Sequence, residues 1–281
     1  VASGPRLDAV PPAGTGGLDD EALAYYADGA WYDAEYVHIG GDVPAYVRVA
    51  SVCDGPLLEL ACGTGRLTLP MARAASATVV GVDVSPGMIA RAADKLTREP
   101  EAVRERTRFV TNDMRTMRLG ERFDGVVLAF NTLMHMTEDA DLEATLLNVR
   151  EHLSPRGLFH FDLHTPWPNL AAERDPAGRY DPQPLIDPRT GERWQVTENN
   201  HFDPRTQLNS MSFYYQRVDL RGRPFGPERQ LTLRLRVIFP RELDTWLWRC
   251  GLEIVGDWED LARTAPFSAR GGRRVVTARR R

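Results

Sequence analysis

The stretch Glu59-Leu60-Ala61-Cys62-Gly63-Thr64-Gly65 leaves the backbone little choice. It follows a short apolar run, LLELA at 57–61, and opens onto a segment with helical periodicity over 65–75. Gly63 and Gly65 permit a sharp turn, and bare backbone there lets a ligand lie against the chain where a Cβ would block it. A buried strand that feeds a helix through such a turn points to a parallel sheet with crossover connections.

The flanking text agrees. Apolar, β-branched or aromatic runs recur as TVVGVD (78–83), RFVTND (108–113), FDGVVLAF (123–130) and LFHFDL (158–163). Each is bounded by Gly, Asp or Pro and reads as a strand buried on both faces. Helix-like segments separate them at 86–96, which Ser85-Pro86 starts, and at 139–153. This alternation predicts a doubly wound α/β layer over residues 56–165.

The style changes over 166–239. A Pro-rich connection leads into WQVTENNHF, LNSMSFYYQRVDL and RQLTLRLRVIF, with turns at Asp203-Pro204 and Arg221-Gly222. Polar and apolar residues alternate there, which predicts an antiparallel β insertion over 193–239. Residues 240–281 read as a helix ended by Gly251 and two strands, LEIVGDW and RRVVTARR, that complete the layer. Arg273, Arg274, Arg279, Arg280 and Arg281 are expected in a solvated edge strand and tail. Ahead of the layer, residues 1–17 read as a flexible Pro/Gly-rich tail and 18–55 as an aromatic helical lid.

Composition removes several function classes. With 281 residues and 42% hydrophobic content the chain can bury a sizeable core. A net charge of −4 argues against a general nucleic-acid binder. No apolar run approaches the roughly 18 residues that cross a bilayer, and residues 1–17 lack the basic start and apolar stretch of a secretion signal. Cys53, Cys62 and Cys250 have neither CxxC spacing nor the density of a disulfide scaffold, which predicts a reduced, cytoplasmic setting. No metal site is expected, because His164 with Asp162 is too thin a ligand set.

Chemistry in such a layer gathers at the strand ends. An NAD-type oxidoreductase would need a third small residue at position 68, which is Thr68, and gains nothing from Glu59 beside a pyrophosphate. An acid there suits a ligand with a cationic amine and sulfonium. Asp83, closing the next strand, can accept both hydroxyl protons of a ribose. After the third strand, Asn112 or Asp113 could take an adenine amino group while Met114 covers the ring.

In this order, ELACGTG, VVGVDVSPGM, NDMR and FDGVVLAFNTLMHM resemble the successive motifs of class I S-adenosylmethionine-dependent methyltransferases. The resemblance is close over 57–165 and looser beyond, with Ala61 standing where many members have Gly. It is nearest in kind to amino-sugar N,N-dimethyltransferases. It implies a mostly parallel, seven-stranded Rossmann-like sheet whose last strand is inserted antiparallel, and S-adenosylmethionine as cofactor. The cofactor set it implies is Glu59, Ala61, Gly63, Gly65, Asp83, Val84, Met88, Asn112, Asp113, Met114, Phe130 and Tyr32. Tyr36, Asn131 and His164 are expected toward a small-molecule acceptor, methylated on N or O in specialised metabolism. The β insertion is expected to wall the pocket and could pair two subunits as a homodimer. A fold that binds the cofactor yet serves as a non-methylating cyclase or scaffold is the alternative.

Several residues carry two readings. Glu59 either meets the ligand or bonds amides of its own loop; Asp83 either binds ribose or caps the following helix. Asp113 is also a routine turn residue. His135, just past the fourth strand, is the candidate general base, set against a helix cap or core residue. His160, between Phe159 and Phe161, reads as core. Tyr25, Tyr32 and Tyr36 fall at i, i+7 and i+11, on one helical face that is either packing or a lid over the sulfonium.

Overall fold

The computed structural model describes residues 20–166 and 178–281; the predicted tail over 1–17 and part of the Pro-rich connection lie outside them. Helices α1 (Asp20–Tyr25), α2 (Gly29–Glu35) and α3 (Val43–Ser51) come first. The layer follows as β1 (Leu57–Leu60), α4 (Thr68–Ala74), β2 (Val79–Asp83), α5 (Pro86–Leu96), α6 (Glu101–Arg106) and β3 (Thr107–Thr111). Next come β4 (Phe123–Leu128), a 3-10 turn (Thr132–His135), α7 (Asp139–His152) and β5 (Leu153–His164). Strands β6 (Tyr180–Ile186), β7 (Arg193–Asp203), β8 (Leu208–Arg217) and β9 (Arg229–Arg236) precede α8 (Pro240–Arg249), β10 (Leu252–Trp258) and β11 (Arg273–Arg280).

Every residue of β1 and β2 is buried, as strands covered on both faces must be. The seven-stranded sheet runs β10-β11-β5-β4-β1-β2-β3. Its neighbours from β5 to β3 pair in parallel. β11 lies antiparallel between β5 and β10. Leu58, Val80, Val126, Phe159 and Phe161 form its main core with α7 and α8. Full burial of each such side chain contributes about 1.5–3 kcal/mol. The chain order crosses over between β1 and β4, which opens a crevice at the strand ends there.

Three expectations change. β11 is an interior strand rather than a solvated edge: Val275, Val276 and Ala278 are buried, and Arg274, only 4% exposed, pairs with Asp257 and Asp244. Long arginine stems cover apolar surface while their heads find acids, so an Arg-rich strand need not be an edge. The antiparallel sheet β6-β7-β8-β9 begins at Tyr180, ahead of the expected start. The aromatic stripe is not one helix, because α1 ends at Tyr25 and Asp28 caps α2 by accepting from the amides of Ala30 and Trp31.

That break gives α1 and α2 their place. Tyr25, Tyr26, Trp31, Tyr32 and Tyr36 pack with Trp194, Phe213, Tyr215 and Leu233 on one face of the four-stranded sheet. The segment between the helices rests on the start of α5. A Cβ at Gly87 would stand 2.1 Å from the carbonyl oxygen of Ala27, so only glycine admits the contact.

Candidate functional site

A cleft opens at the C-terminal ends of β1, β2, β3 and β4, and Tyr26, after α1, and Tyr32 of α2 line it from the N-terminal side. Among its lining residues are Glu59, Ala61, Gly63, Asp83, Val84, Met88, Asn112, Asp113, Met114, Phe130, Tyr32 and His135. Gly65, Tyr36, Asn131 and His164 lie outside that lining. A Cβ at Gly63, whose φ is +55°, would meet nothing within 4 Å, so this residue keeps its backbone open to the cleft. A Cβ at Gly65, at φ +75°, would stand 3.0 Å from the Phe109 ring. Its freedom serves the turn and its packing.

Asp83 ties the strand tip to that turn. One carboxylate oxygen accepts from the Gly63 amide at 2.8 Å and the other from the Ser85 amide at 2.9 Å. Ser85, not Asp83, caps α5 through a bond from the Met88 amide. Each oxygen of Asp83 retains acceptor capacity for a diol, and burial raises its pKa. Glu59 is 3% exposed and accepts from the Thr68 hydroxyl. Burial pushes its carboxyl up to about 8, opposed by Thr68 and the Arg66 cation. It is therefore mostly neutral at pH 7, and a cationic ligand would ionise it.

The third strand end is more committed. Asn112 accepts from the Asp113 amide, and Asp113 grips Arg115 at 2.7 Å, which Asp141 braces at 2.6 Å. Both side chains shape their own turn as well as line the cleft.

The turn after β4 is unusual: Phe130 and Asn131 are consecutive non-glycine residues at φ +59° and +62°. Such conformations cost of order 1–3 kcal/mol each and need support. Asp162, 1% exposed at the end of β5, provides it by accepting from the Phe130 amide at 3.0 Å, and it also holds Tyr46 of α3 and Arg273 of β11. Asn131 spends its side-chain oxygen on the His164 amide at 2.7 Å. His164 is exposed, with Nδ1 3.1 Å from the Gly272 carbonyl oxygen. The Phe130 ring, with the Arg66 guanidinium 5.2 Å from its centroid, meets Tyr36 edge-on, and Tyr36 stacks on Tyr32.

The 3-10 turn that follows aims His135 into the cleft, where Nε2 lies 3.2 Å from the Tyr26 hydroxyl. Tyr26 is the important lining residue that the sequence did not single out. Its signal was its place beside Tyr25, masked by the assumption of one continuous helix. His160 is core, as read: it bonds Thr277, and burial lowers its pKa to about 3. Among the described residues no cluster of His, Cys, Asp and Glu could hold a metal ion.

An open glycine turn, a buried acid beneath it and a diol-accepting acid on the next strand fit an adenosyl ligand with a cationic amino-acid end. Together with the sheet order they are the arrangement expected of an S-adenosylmethionine-dependent methyltransferase domain. Comparison with known proteins agrees: residues 57–157 match the family described as methyltransferase domain. The chain is 34% identical over 124 residues to a dTDP-3-amino-3,6-dideoxy-alpha-D-glucopyranose N,N-dimethyltransferase of Streptomyces fradiae, a match covering 44% of this chain and 45% of that protein. The matched part thus spans less than half the length of this relative. Among solved structures, the CcbJ methyltransferase from Streptomyces caelestis aligns with a TM-score of 0.67 at 26% identity, over 86% of this chain and 95% of the other. The amino pentose methyltransferase CalS10 from Micromonospora echinaspora, with S-adenosylmethionine bound, shares the fold at a TM-score of 0.66 and 21% identity, over 89% and 96%.

Proposed function

We propose that this protein methylates an amine nitrogen of a small-molecule acceptor, with an amino sugar as the acceptor class. S-adenosylmethionine, when bound, supplies a methyl group already activated by its sulfonium. The protein's task is then alignment, which can contribute roughly 7–11 kcal/mol. Gly63 and Ala61 would present backbone to the methionine part, with Glu59 countering its ammonium. Asp83 would hold the ribose, with Val84, Met88, Asn112, Asp113 and Met114 around the adenine. Tyr32 and Phe130 would exclude water above. Tyr26 and His135 would orient the acceptor, and His135 would take up its proton at Nε2.

The observation that carries this reading is the Tyr26–His135 contact of 3.2 Å, made across the cleft between the lid and the turn after β4. A non-methylating binder has no need of a proton acceptor at that position. The aromatic lid and the named activities of the Streptomyces fradiae relative favour nitrogen over oxygen. The test is incubation with S-adenosylmethionine and a set of nucleotide-linked 3-amino and 3-hydroxy sugars, read by mass spectrometry. Methylated product from the amines alone is the expected result. Product from the hydroxy sugars alone, or none despite cofactor binding, would refute it. His135→Ala should lower turnover at least tenfold while S-adenosylhomocysteine affinity stays within about twofold.

A further inference from the structure

A second groove lies at the other end of the seven-stranded sheet, over β5, β11 and β10 and beside α3. It has a volume of about 690 Å³, in the range that holds a small organic molecule. Leu158, Val49 and Leu261 give it an apolar floor, and Trp258 stands in its wall. Three guanidinium groups face it: Arg48, Arg156 and Arg263. Among the described residues none of the three has an ion-pair partner; Arg48 bonds the Ala262 carbonyl at 3.3 Å and Arg263 the imidazole of His160 at 3.2 Å. The groove also holds Asp54 and Asp124, and Ser154 donates to Asp124 at 2.6 Å.

Arg263 is the residue without a structural explanation. Its backbone sits at φ +61°, a costly region for a long side chain. Its side chain is half-buried, lies 4.8 Å over the Trp258 ring and meets a neutral imidazole instead of an acid. Burying a guanidinium without an anion is unfavourable. Arg48, bonded to the carbonyl just before it, braces the strained turn. A fold that only had to close this corner would be served by a small residue. Costs of this kind are recovered when an anion docks.

We propose that this groove is a binding site for a small organic anion, an aromatic carboxylate whose charge meets Arg263 and Arg48 while its ring lies against Trp258 and the apolar floor. It is separate from the cofactor cleft, with which it shares no lining residue. The test is nitrogen–proton NMR of the intact protein, following Trp258 Nε1–H and the Arg263 Nε–H while benzoate, benzyl alcohol or inorganic phosphate is added. Benzoate should shift both signals, with benzyl alcohol at least about tenfold weaker, and Arg263→Gln should weaken benzoate by a similar factor. S-adenosylhomocysteine titrated into each sample reports the cofactor cleft independently and shows that the variant is folded. If Arg263→Gln fails that check, Arg48→Gln carries the test with the same expected loss. No shift with benzoate, equal shifts with benzyl alcohol, binding of phosphate alone, or undiminished benzoate binding in a folded variant would overturn the proposal.

Discussion

Replacing Glu59 by Gln tests how the cleft recognises charge. In the free protein the Glu59 carboxyl has a pKa of about 8, raised chiefly by burial. At pH 7 it is therefore roughly 90% protonated. A ligand bringing an ammonium group favours the ionised form, so its arrival lowers that pKa and expels the proton. The sign follows: affinity rises with pH up to about 8 and levels off above it. Between pH 6 and pH 8 the ionised fraction grows from roughly 1% to roughly 50%, so affinity should rise about 50-fold where only the carboxylate binds. Calorimetry of S-adenosylhomocysteine binding at pH 7, in buffers of different ionisation enthalpy, should show release of about 0.9 proton. Glu59→Gln keeps the shape and the Thr68 bond but cannot titrate. It should abolish that release and flatten the pH profile. Equal proton release by the two proteins, or affinity falling as pH rises, would refute the reasoning.

Other substitutions separate support from contact. Asp162→Asn leaves Arg273 facing a neutral amide in a buried setting and should destabilise the fold by about 3 kcal/mol, seen as a lower denaturant midpoint. The same change should weaken S-adenosylhomocysteine binding, because the Phe130 turn relaxes. Gly63→Ala should weaken cofactor binding at least tenfold with a loss of only about 1–2 kcal/mol in stability, whereas Gly65→Ala, pressed against Phe109, should lose more stability than affinity. Glu35, whose pKa burial raises to about 7, accepts from Tyr25 and Tyr215 where the lid meets the four-stranded sheet. Its charged form is favoured in the unfolded chain, so stability should fall as pH rises from about 4.5 toward 7, and Glu35→Gln should lessen that fall in thermal melts at two pH values.

The parallel part of the fold was legible because each strand is apolar throughout and each connection carries its own punctuation. Pro86–Leu96 matches its expected helix to the residue, since Ser85 and Pro86 mark the start without help from tertiary contacts. The Gly63 turn and the Asp83 tip were readable for the same reason: glycine freedom and a strand-end acid are local properties. β11 was harder. Its arginines look solvated until Asp162, Asp244 and Asp257, distant in sequence, are placed beside them. The role of Tyr26 and the bracing role of Asp162 were not readable because they come from partners more than 100 positions away, His135 for one and Arg273 for the other. Periodicity reports which face a residue takes, and it is silent about what waits on that face.

The place of β11 has a consequence for biosynthesis. Among the strands of the described residues β10 pairs only with β11, and β5 has β11 on its outer flank, so both strands are synthesised before the one that joins them. Until residues 273–280 emerge, two lengths of unsatisfied backbone are open to any passing strand. The nascent chain thus completes its sheet by slotting in a middle member last, and chaperone protection matters most in that interval.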